Sequence, residues 1–501
     1  MIVVQKNRLL ISSIFEHKVS EFIKMNTIFE KNMSFGYNEK WIAIAEVEFD
    51  SKVFIALPRS YPLKTLLPFV EEDEILRSNY NIEYEKIKIN LKKEFDCRNP
   101  LQFELSDFLL GANKYSELFK KPRRALFADT GIGKTFLTIK NICTTKIKPV
   151  IFCPDDRAIK VWTEEFLKFT DIQESEICII KGTVTLKRTL KKKDQYKIIL
   201  FSTDTAGSMF DSNKIDEFIS FFEEMKIGLK IFDEMHLRLK SIFFIDMYLC
   251  TFRTFYLTAT NVMRIYGEQK VMVNMTPSED CVYQQEYVRK FELIKVVYYT
   301  EPENQAVYKL VNKPNGFDAL EYLKYATEDE VASKFFLEDV IEPTYKLSLR
   351  MLKNETKYKV AIITKTNSSG RIIGEYLAKK FPNKTIGYFN SSIQDMKVRE
   401  LELNCEIIIS TDKSFSGILN IYNLSVIINC TPITSEAHIK QIMGRLREEG
   451  DKRRLVFQLC DSSFKKAANM LYRQIKTCEP VTTSIKLFKI NDQNTVVVTE
   501  E

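Results

Sequence analysis

The chain has 501 residues, 45% of them hydrophobic and 28% charged, with a formal net charge of +7. That length exceeds one compact core and predicts two or three domains, and the composition excludes wholesale disorder. The modest basic excess suits a local phosphate-binding track but does not by itself select a nucleic-acid partner.

Ten cysteines are scattered without a C-x-x-C pair, several inside apolar runs such as "VIFCP" and "VIINCTP". They read as buried thiols of a reducing compartment, not as a disulfide framework or a zinc site. Histidines occur only at 17, 236 and 438, too few for a His-rich metal centre. The N-terminus lacks the apolar core and cleavage site of a secretion signal, and no segment reaches 18 uncharged apolar residues. The expectation is an intracellular protein with no membrane span.

In chain order, residues 1–95 read as a small α+β appendage. It has a helix near 13–31 and a hairpin made by "WIAIAEVEF" (41–49), a turn at Asp50-Ser51, and "KVFIALP". From 96 to 280 short apolar runs alternate with helical stretches: "RALFA", "KPVIFCP", "YKIILFST", "LKIFDE" and "TFYLTAT". Runs of this kind predict a parallel sheet covered on both faces. Residues 281–345, with their Pro and Gly punctuation, are expected to be a linker and helical region. A second series in 346–501 ("KVAIITKT", "KTIGYFN", "CEIIISTD", "LSVIINCTP", "RRLVFQLCD") predicts a second sheet of the same kind.

The most informative stretch is "ALFADTGIGKTFLTIK": a strand, a loop, then a helix opening at Lys134-Thr135. Ala128, Asp129, Thr130, Gly131, Ile132, Gly133, Lys134 and Thr135 match a phosphate-binding loop, with Ala128 standing where the first Gly is expected. Gly131 and Gly133 let backbone N–H groups face a phosphate, Lys134 neutralises oxygens, and Thr135 suits a Mg²⁺ ligand. About a hundred residues later "LKIF" ends at Asp233-Glu234-Met235-His236. Asp233 is placed to hold the metal through its water shell, and Glu234 to polarise an attacking water. Trp162, at helical spacing from Ile159 and Phe166, reads as core and not as a base-stacking residue. The basic stretch 186–197 adds phosphate affinity or is a solvated loop, and His438 reads as a surface or capping residue.

Asp233–His236 after such a loop resembles the DExH box of superfamily 2 helicases and translocases, and further motifs follow in that family's order over residues 98–450. Arg98-Asn99-Pro100-Leu101-Gln102 resembles the glutamine motif, which implies that Gln102 reads adenine. "CPDDRAIKVWTEEF" resembles motif Ia in its Swi2/Snf2-like form, and "STDT" (202–205) resembles motif Ib/Ic. Thr258-Ala259-Thr260 resembles motif III, "IITKT" motif IV, Thr411 through Gly417 to Asn420 motif V, and Gln441-x-x-Gly444-Arg445 motif VI. The sequence most resembles the compact helicases of large DNA viruses, used in late transcript release, and of phages, used in recombination.

The resemblance implies a fold of α/β class: two tandem RecA-like parallel-sheet domains carrying the small N-terminal α+β appendage. It implies a nucleic-acid-stimulated ATPase using ATP and Mg²⁺, with DNA favoured over RNA as the track. Pro154, Thr203, Thr364, Lys365 and Thr411 would touch the nucleic-acid backbone. Arg445 or Arg447 would reach the γ-phosphate, and His236 would couple the nucleotide site to Thr258 and Gln441. Transcription or replication machinery are the implied further partners, the chain acting as a monomer in the cytoplasm, a viral factory or a virion. Two departures stand out. Glu448 occupies the place of the family's second motif VI arginine, so Arg447 shifts into reach, Arg445 serves alone, or hydrolysis is weak. Asn420 stands where Asp is often found.

Overall fold

The computed structural model describes residues 2–5, 8–31, 38–70, 75–77, 82–128, 131–259, 266–285, 291–300, 305–314, 316–352, 357–390, 393, 395–416, 421–433, 439, 442–446, 453–490 and 497–500. Two compact units divide at Gln285/Glu286.

The first unit begins with strands β1 (Ile2–Val4), β2 (Arg8–Ile11), β3 (Thr27–Lys31), β4 (Asn38–Ile42), β5 (Ala45–Phe49), β6 (Lys52–Pro58) and β7 (Ile75–Arg77). The α+β appendage is a sheet of order β5-β6-β2-β1-β7, with β3 and β4 forming a separate antiparallel pair. Its helix is shorter than the periodicity predicts. It runs Val19–Met25 and stops at Asn26, because the β-branched Thr27 and Ile28 that follow start β3. The predicted hairpin is β5–β6, turned by Asp50 and Ser51 at φ 52° and 57°. Period-two alternation gives the sheet two buried faces. Ile2, Leu9, Ile11 and Leu57 pack against Phe22 and Phe69, whereas Val3, Leu10, Ala45, Val47 and Ala56 join the core of the domain that follows. Trp41 lies 5.7 Å, ring centre to ring centre, from Phe243 of that domain. The appendage is therefore fused to it through shared apolar surface.

Strands β8 (Arg123–Phe127), β9 (Pro149–Cys153), β10 (Ile177–Ile180), β11 (Ile198–Ser202), β12 (Leu229–Phe232), β13 (Arg253–Thr258) and β14 (Val282–Gln284) form a seven-stranded sheet of order β10-β11-β9-β12-β13-β8-β14. Every pairing in it is parallel. Strands β9, β11, β12 and β13 are buried at every position, as apolar runs covered on both faces must be. The connection from β8 to β9 passes over β13 and β12, so the carboxyl ends of β12, β13 and β8 lie side by side at a switch in strand order. Open α/β sheets bind ligands at such a switch.

The second unit holds β15 (Phe291–Tyr298), β16 (Lys359–Thr364), β17 (Ile386–Phe389), β18 (Ile407–Thr411), β19 (Leu424–Asn429), β20 (Leu455–Asp461), β21 (Thr482–Lys489) and β22 (Val497–Glu500). Their order is β17-β18-β16-β19-β20-β15-β21-β22, with only the last pair antiparallel. The stretch expected as a linker and helical region differs from that expectation. Its β15 sits inside this sheet between β20 and β21, and Tyr322, Leu323, Phe336 and Tyr345 of its helices are fully buried against it. Each half of the chain thus has the parallel α/β fold that the apolar runs predict. Eight of the ten cysteines are buried and all ten are free. No helix among the described residues is long and apolar enough to cross a membrane.

Candidate functional site

The phosphate loop leaves β8 at Ala128, whose N–H donates to the Thr258 carbonyl and so ties the loop to the end of β13. Ala128 is buried and is not among the residues with positive φ, so no glycine is required there. Gly131 and Gly133 do need their residue type, with φ of 91° and 96°. Gly133 precedes the helix Lys134–Thr145, and Gln102 Nε2 lies 2.8 Å from where its Cβ would be. Lys134 is buried, and its Nζ donates to the Ala128 carbonyl at 2.7 Å, closing the loop on itself. Thr135 is half-buried in the first turn. Asp129 and Thr130 lie outside the described residues.

Gln102 sits in the helix Pro100–Leu110, which Asn99 caps by accepting from the Gln102 N–H at 2.9 Å. Its side-chain Nε2 donates to the Ile132 carbonyl and its Oε1 accepts from the Arg98 N–H, both at 2.8 Å. Gln102 is thus a tether of the phosphate loop, with one further donor and one further acceptor position on its amide.

The acidic box follows β12 and is strapped to both neighbouring strands. The Asp233 N–H donates to the Phe152 carbonyl and the Met235 N–H to the Leu257 carbonyl, each at 3.1 Å. Glu234 adopts φ 45°, a left-handed conformation that a non-glycine residue holds only when its surroundings impose it. Its Oε2 accepts from the Ala259 N–H at 3.3 Å and lies 3.4 Å from His236 Nδ1. Asp233 accepts at Oδ2 from the Trp162 indole N–H at 2.9 Å. Burial first, and the neighbouring Glu234 carboxylate second, hold the Asp233 carboxyl well above the usual range, although part of the residue still reaches solvent. Two adjacent carboxylates at the strand end are oxygen donors of the kind that suit a hydrated divalent cation such as Mg²⁺.

His236 Nδ1 and Thr258 Oγ1 share a hydrogen bond of 2.8 Å. The ring is 6% exposed, and its Nε2 is buried without a partner among the described residues. Burial lowers its pKa, which keeps the imidazole neutral. The box, motif III and the phosphate loop therefore form one connected cluster at the ends of β12, β13 and β8.

Other expected residues fall differently. Thr203 is fully buried and its hydroxyl donates to the Cys153 carbonyl at 3.1 Å, so its side chain braces motif Ia and cannot meet a phosphate. Pro154 is buried as well. What the first unit offers here is the amino end of the helix Thr203–Asp211. In the second unit Thr364 is 2% exposed and its hydroxyl donates to the Thr366 carbonyl at 3.0 Å, again an internal brace. Lys365 pairs with Asp412, while the Thr411 hydroxyl donates to Ser414 Oγ at 3.0 Å. The ends of β16 and β18 are adjacent, which brings motifs IV and V together. Arg445 is half-buried in the turn after Ile442 and Met443. Thr260, Gly417, Asn420, His438, Gln441, Arg447 and Glu448 lie outside the described residues. Of the cations in 186–197, Lys187 and Arg188 are exposed in the last turn of the short helix Val184–Leu190, and Lys191 and Lys192 are exposed just beyond it. Trp162 is core, as its spacing predicts, yet its polar edge reaches the site, which periodicity does not reveal.

A phosphate loop, an acidic box and a box histidine bonded to a strand-end threonine stand together at one end of the first sheet, an arrangement similar to that of superfamily 2 helicase domains. Residues 73–263 match the family model described as "Type III restriction enzyme, res subunit". Over its length the chain is similar to the transcript termination protein A18 of Yaba monkey tumor virus (strain VR587), 24% identical over 463 residues, covering 85% of this chain and 91% of that protein. It is likewise similar to A18 of Yaba-like disease virus, 23% identical over 451 residues, covering 88% of each. Among solved structures, the helicase domain of Pyrococcus furiosus Hef aligns with a TM-score of 0.48 and 13% identity, covering 76% of this chain and 99% of that one.

Proposed function

We propose that the chain is a nucleic-acid-stimulated ATPase that translocates on DNA and displaces a strand, a transcript or a bound protein. The observation that supports this best is the cluster of Lys134, Asp233, Glu234, His236 and Thr258 at one end of the sheet. Mg²⁺ with ATP would supply a polarised γ-phosphate. Toward it, Lys134 exchanges its bond to the Ala128 carbonyl for phosphate oxygens. Thr135 and Asp233 would hold the metal, and Glu234, whose carboxylate accepts from the Ala259 N–H, would orient the attacking water. Backbone N–H groups of Gly131 to Gly133 would cradle the phosphates. Gln102 sets the loop and reads adenine with the remaining positions of its amide.

From the second unit, Arg445 or Arg447 and Gln441 would serve hydrolysis in the way the family resemblance implies. Contacts to the track come from Lys365, released from Asp412, and from backbone amides of motifs Ia, Ib, IV and V. Such contacts are sequence-blind and weaken with salt. The naming of both viral relatives as transcript termination proteins supports transcript release at a transcription complex as the setting. We assign the active form as a monomer.

ATPase turnover measured with single-stranded DNA, double-stranded DNA, RNA and no polymer tests the reading. Stimulation by at least one polymer is expected, with Lys134→Ala and Glu234→Gln both inactive. Turnover kept by Glu234→Gln would remove that residue from its role, and indifference to every polymer would sink the motor. Glu448 in the place of an arginine favours one second reading, a clamp that binds ATP and nucleic acid but hydrolyses slowly.

A further inference from the structure

Trp162 occupies the helix Asp156–Phe169 and is 1% exposed, its ring 5.9 Å from Phe166 and packed in the same core as Ile159. A phenylalanine would keep an aromatic ring in that core, although a smaller one. What only tryptophan supplies is the indole N–H, which points out of the core and donates to Asp233 Oδ2 at 2.9 Å. An indole is a donor with no acceptor function, so this bond cannot reverse its sense. A carboxylate at the end of a strand turns freely about its last torsion unless one oxygen is held. Here the indole holds Oδ2, alongside a backbone bond from Glu234 to the same carboxyl, and together they restrict how Oδ1 is presented. Trp162 also comes from a different element than the phosphate loop, so it aligns Asp233 without competing for the nucleotide.

We propose that Trp162 is a positioning residue for the metal-binding carboxylate, holding Asp233 so that Oδ1 faces the water shell of the divalent cation. This rests on the nucleotide and metal reading of the site given above. Partners of this outer kind commonly set metal affinity by 10- to 100-fold when lost.

The experiment is a titration of full-length protein with a fluorescent ADP analogue, with EDTA and then with increasing Mg²⁺, for wild type and Trp162→Phe. We expect the half-saturating Mg²⁺ concentration to rise about tenfold in Trp162→Phe. Metal-free ADP affinity should stay near wild type. A wild-type protein whose ADP affinity ignores Mg²⁺ overturns the metal reading itself. A Mg²⁺ response identical in both proteins overturns the role of Trp162 alone. So does an equal loss of metal-free binding, which marks a purely structural residue. The chain has two tryptophans, at 41 and 162, so Trp41→Phe leaves Trp162 as the sole emitter. Its emission should then change saturably with Mg²⁺ in the presence of ADP, and Asp233→Asn should abolish that change. If Trp162→Phe does not fold, this measurement decides, and emission indifferent to Mg²⁺ refutes the proposal.

Discussion

Replacing Lys230 by methionine should destabilise the first unit by several kcal/mol, although Lys230 lies outside the candidate site. Lys230 lies on β12, and its Nζ sits 2.5 Å from Asp246 Oδ1 of the helix Leu239–Tyr248, both side chains fully buried. The ammonium also donates to the Leu249 carbonyl at 2.5 Å, while the Tyr256 hydroxyl donates to Asp246 Oδ2 at 2.8 Å. Burial lowers the pKa of Lys230 and Asp246 opposes that shift, so removing either partner strands a charge in the core. Breaking such a pair costs about 3–5 kcal/mol, whereas replacing both partners by apolar groups is often neutral. Both tryptophans belong to the first unit, so tryptophan fluorescence in a urea titration reads that unit. With a urea slope of about 3 kcal/mol/M, Lys230→Met should lower the midpoint by about 1 to 1.7 M. Lys230→Met with Asp246→Leu should recover most of the loss, which a double-mutant cycle would measure as coupling. The segment between β12 and that helix is the acidic box, so the pair pins the box from both sides. A midpoint lowered by under about 0.3 M, or a double variant no better than the single, would refute the reasoning.

Gly133→Ala should abolish nucleotide binding, because φ of 96° and a Cβ 2.8 Å from Gln102 Nε2 both oppose it; equilibrium binding of an ADP analogue reads this. Ala128→Gly, which restores the expected loop pattern, should leave that affinity within about twofold and cost about 0.5–1 kcal/mol of stability in urea. Thr258→Val removes the hydroxyl bonded to His236, and polymer-stimulated turnover should fall several-fold with ADP affinity unchanged; a matching loss of affinity would refute the coupling role. The depressed pKa of His236 gives a pH signature. Above the unfolded value near 6.5 both states are neutral and the group contributes nothing. As pH falls below it the unfolded chain binds a proton that the folded one resists, so stability declines until the folded pKa is passed. His236→Asn should flatten this decline between pH 7 and 5 in urea titrations, and an unchanged slope would count against the buried neutral ring.

How far the sequence carried these conclusions depends on which physical signal each feature leaves in the chain. Strands buried on both faces leave continuous apolar runs, so β8, β9, β11, β12 and β13 were readable, as were β16, β18, β19 and β20; β17, half-buried at alternate residues, still shows as a short apolar run. β10 has four residues, one of them exposed, and β21 is mostly half-buried with Lys486 and Lys489 in its run. Neither produces a pattern distinct from a loop, and without β21 the place of β15 in the sheet is invisible. At the site, motif spacing located the residues but not the direction of their side chains. Thr203 and Thr364 carry the expected letters, yet their hydroxyls are consumed by carbonyls one strand away or two residues on. Ala128 departs from the expected letter and fits, since the backbone there never enters the left-handed region. Trp162 shows the limit most plainly. Its 3.6-residue spacing correctly assigns the ring to the core, and the same spacing says nothing of an N–H reaching a carboxylate 71 positions away. Strand ends in a parallel sheet receive side chains from neighbouring crossover helices. The residue that orients a strand-end carboxylate therefore lies in another motif, and an aromatic with one polar edge can serve core and site together.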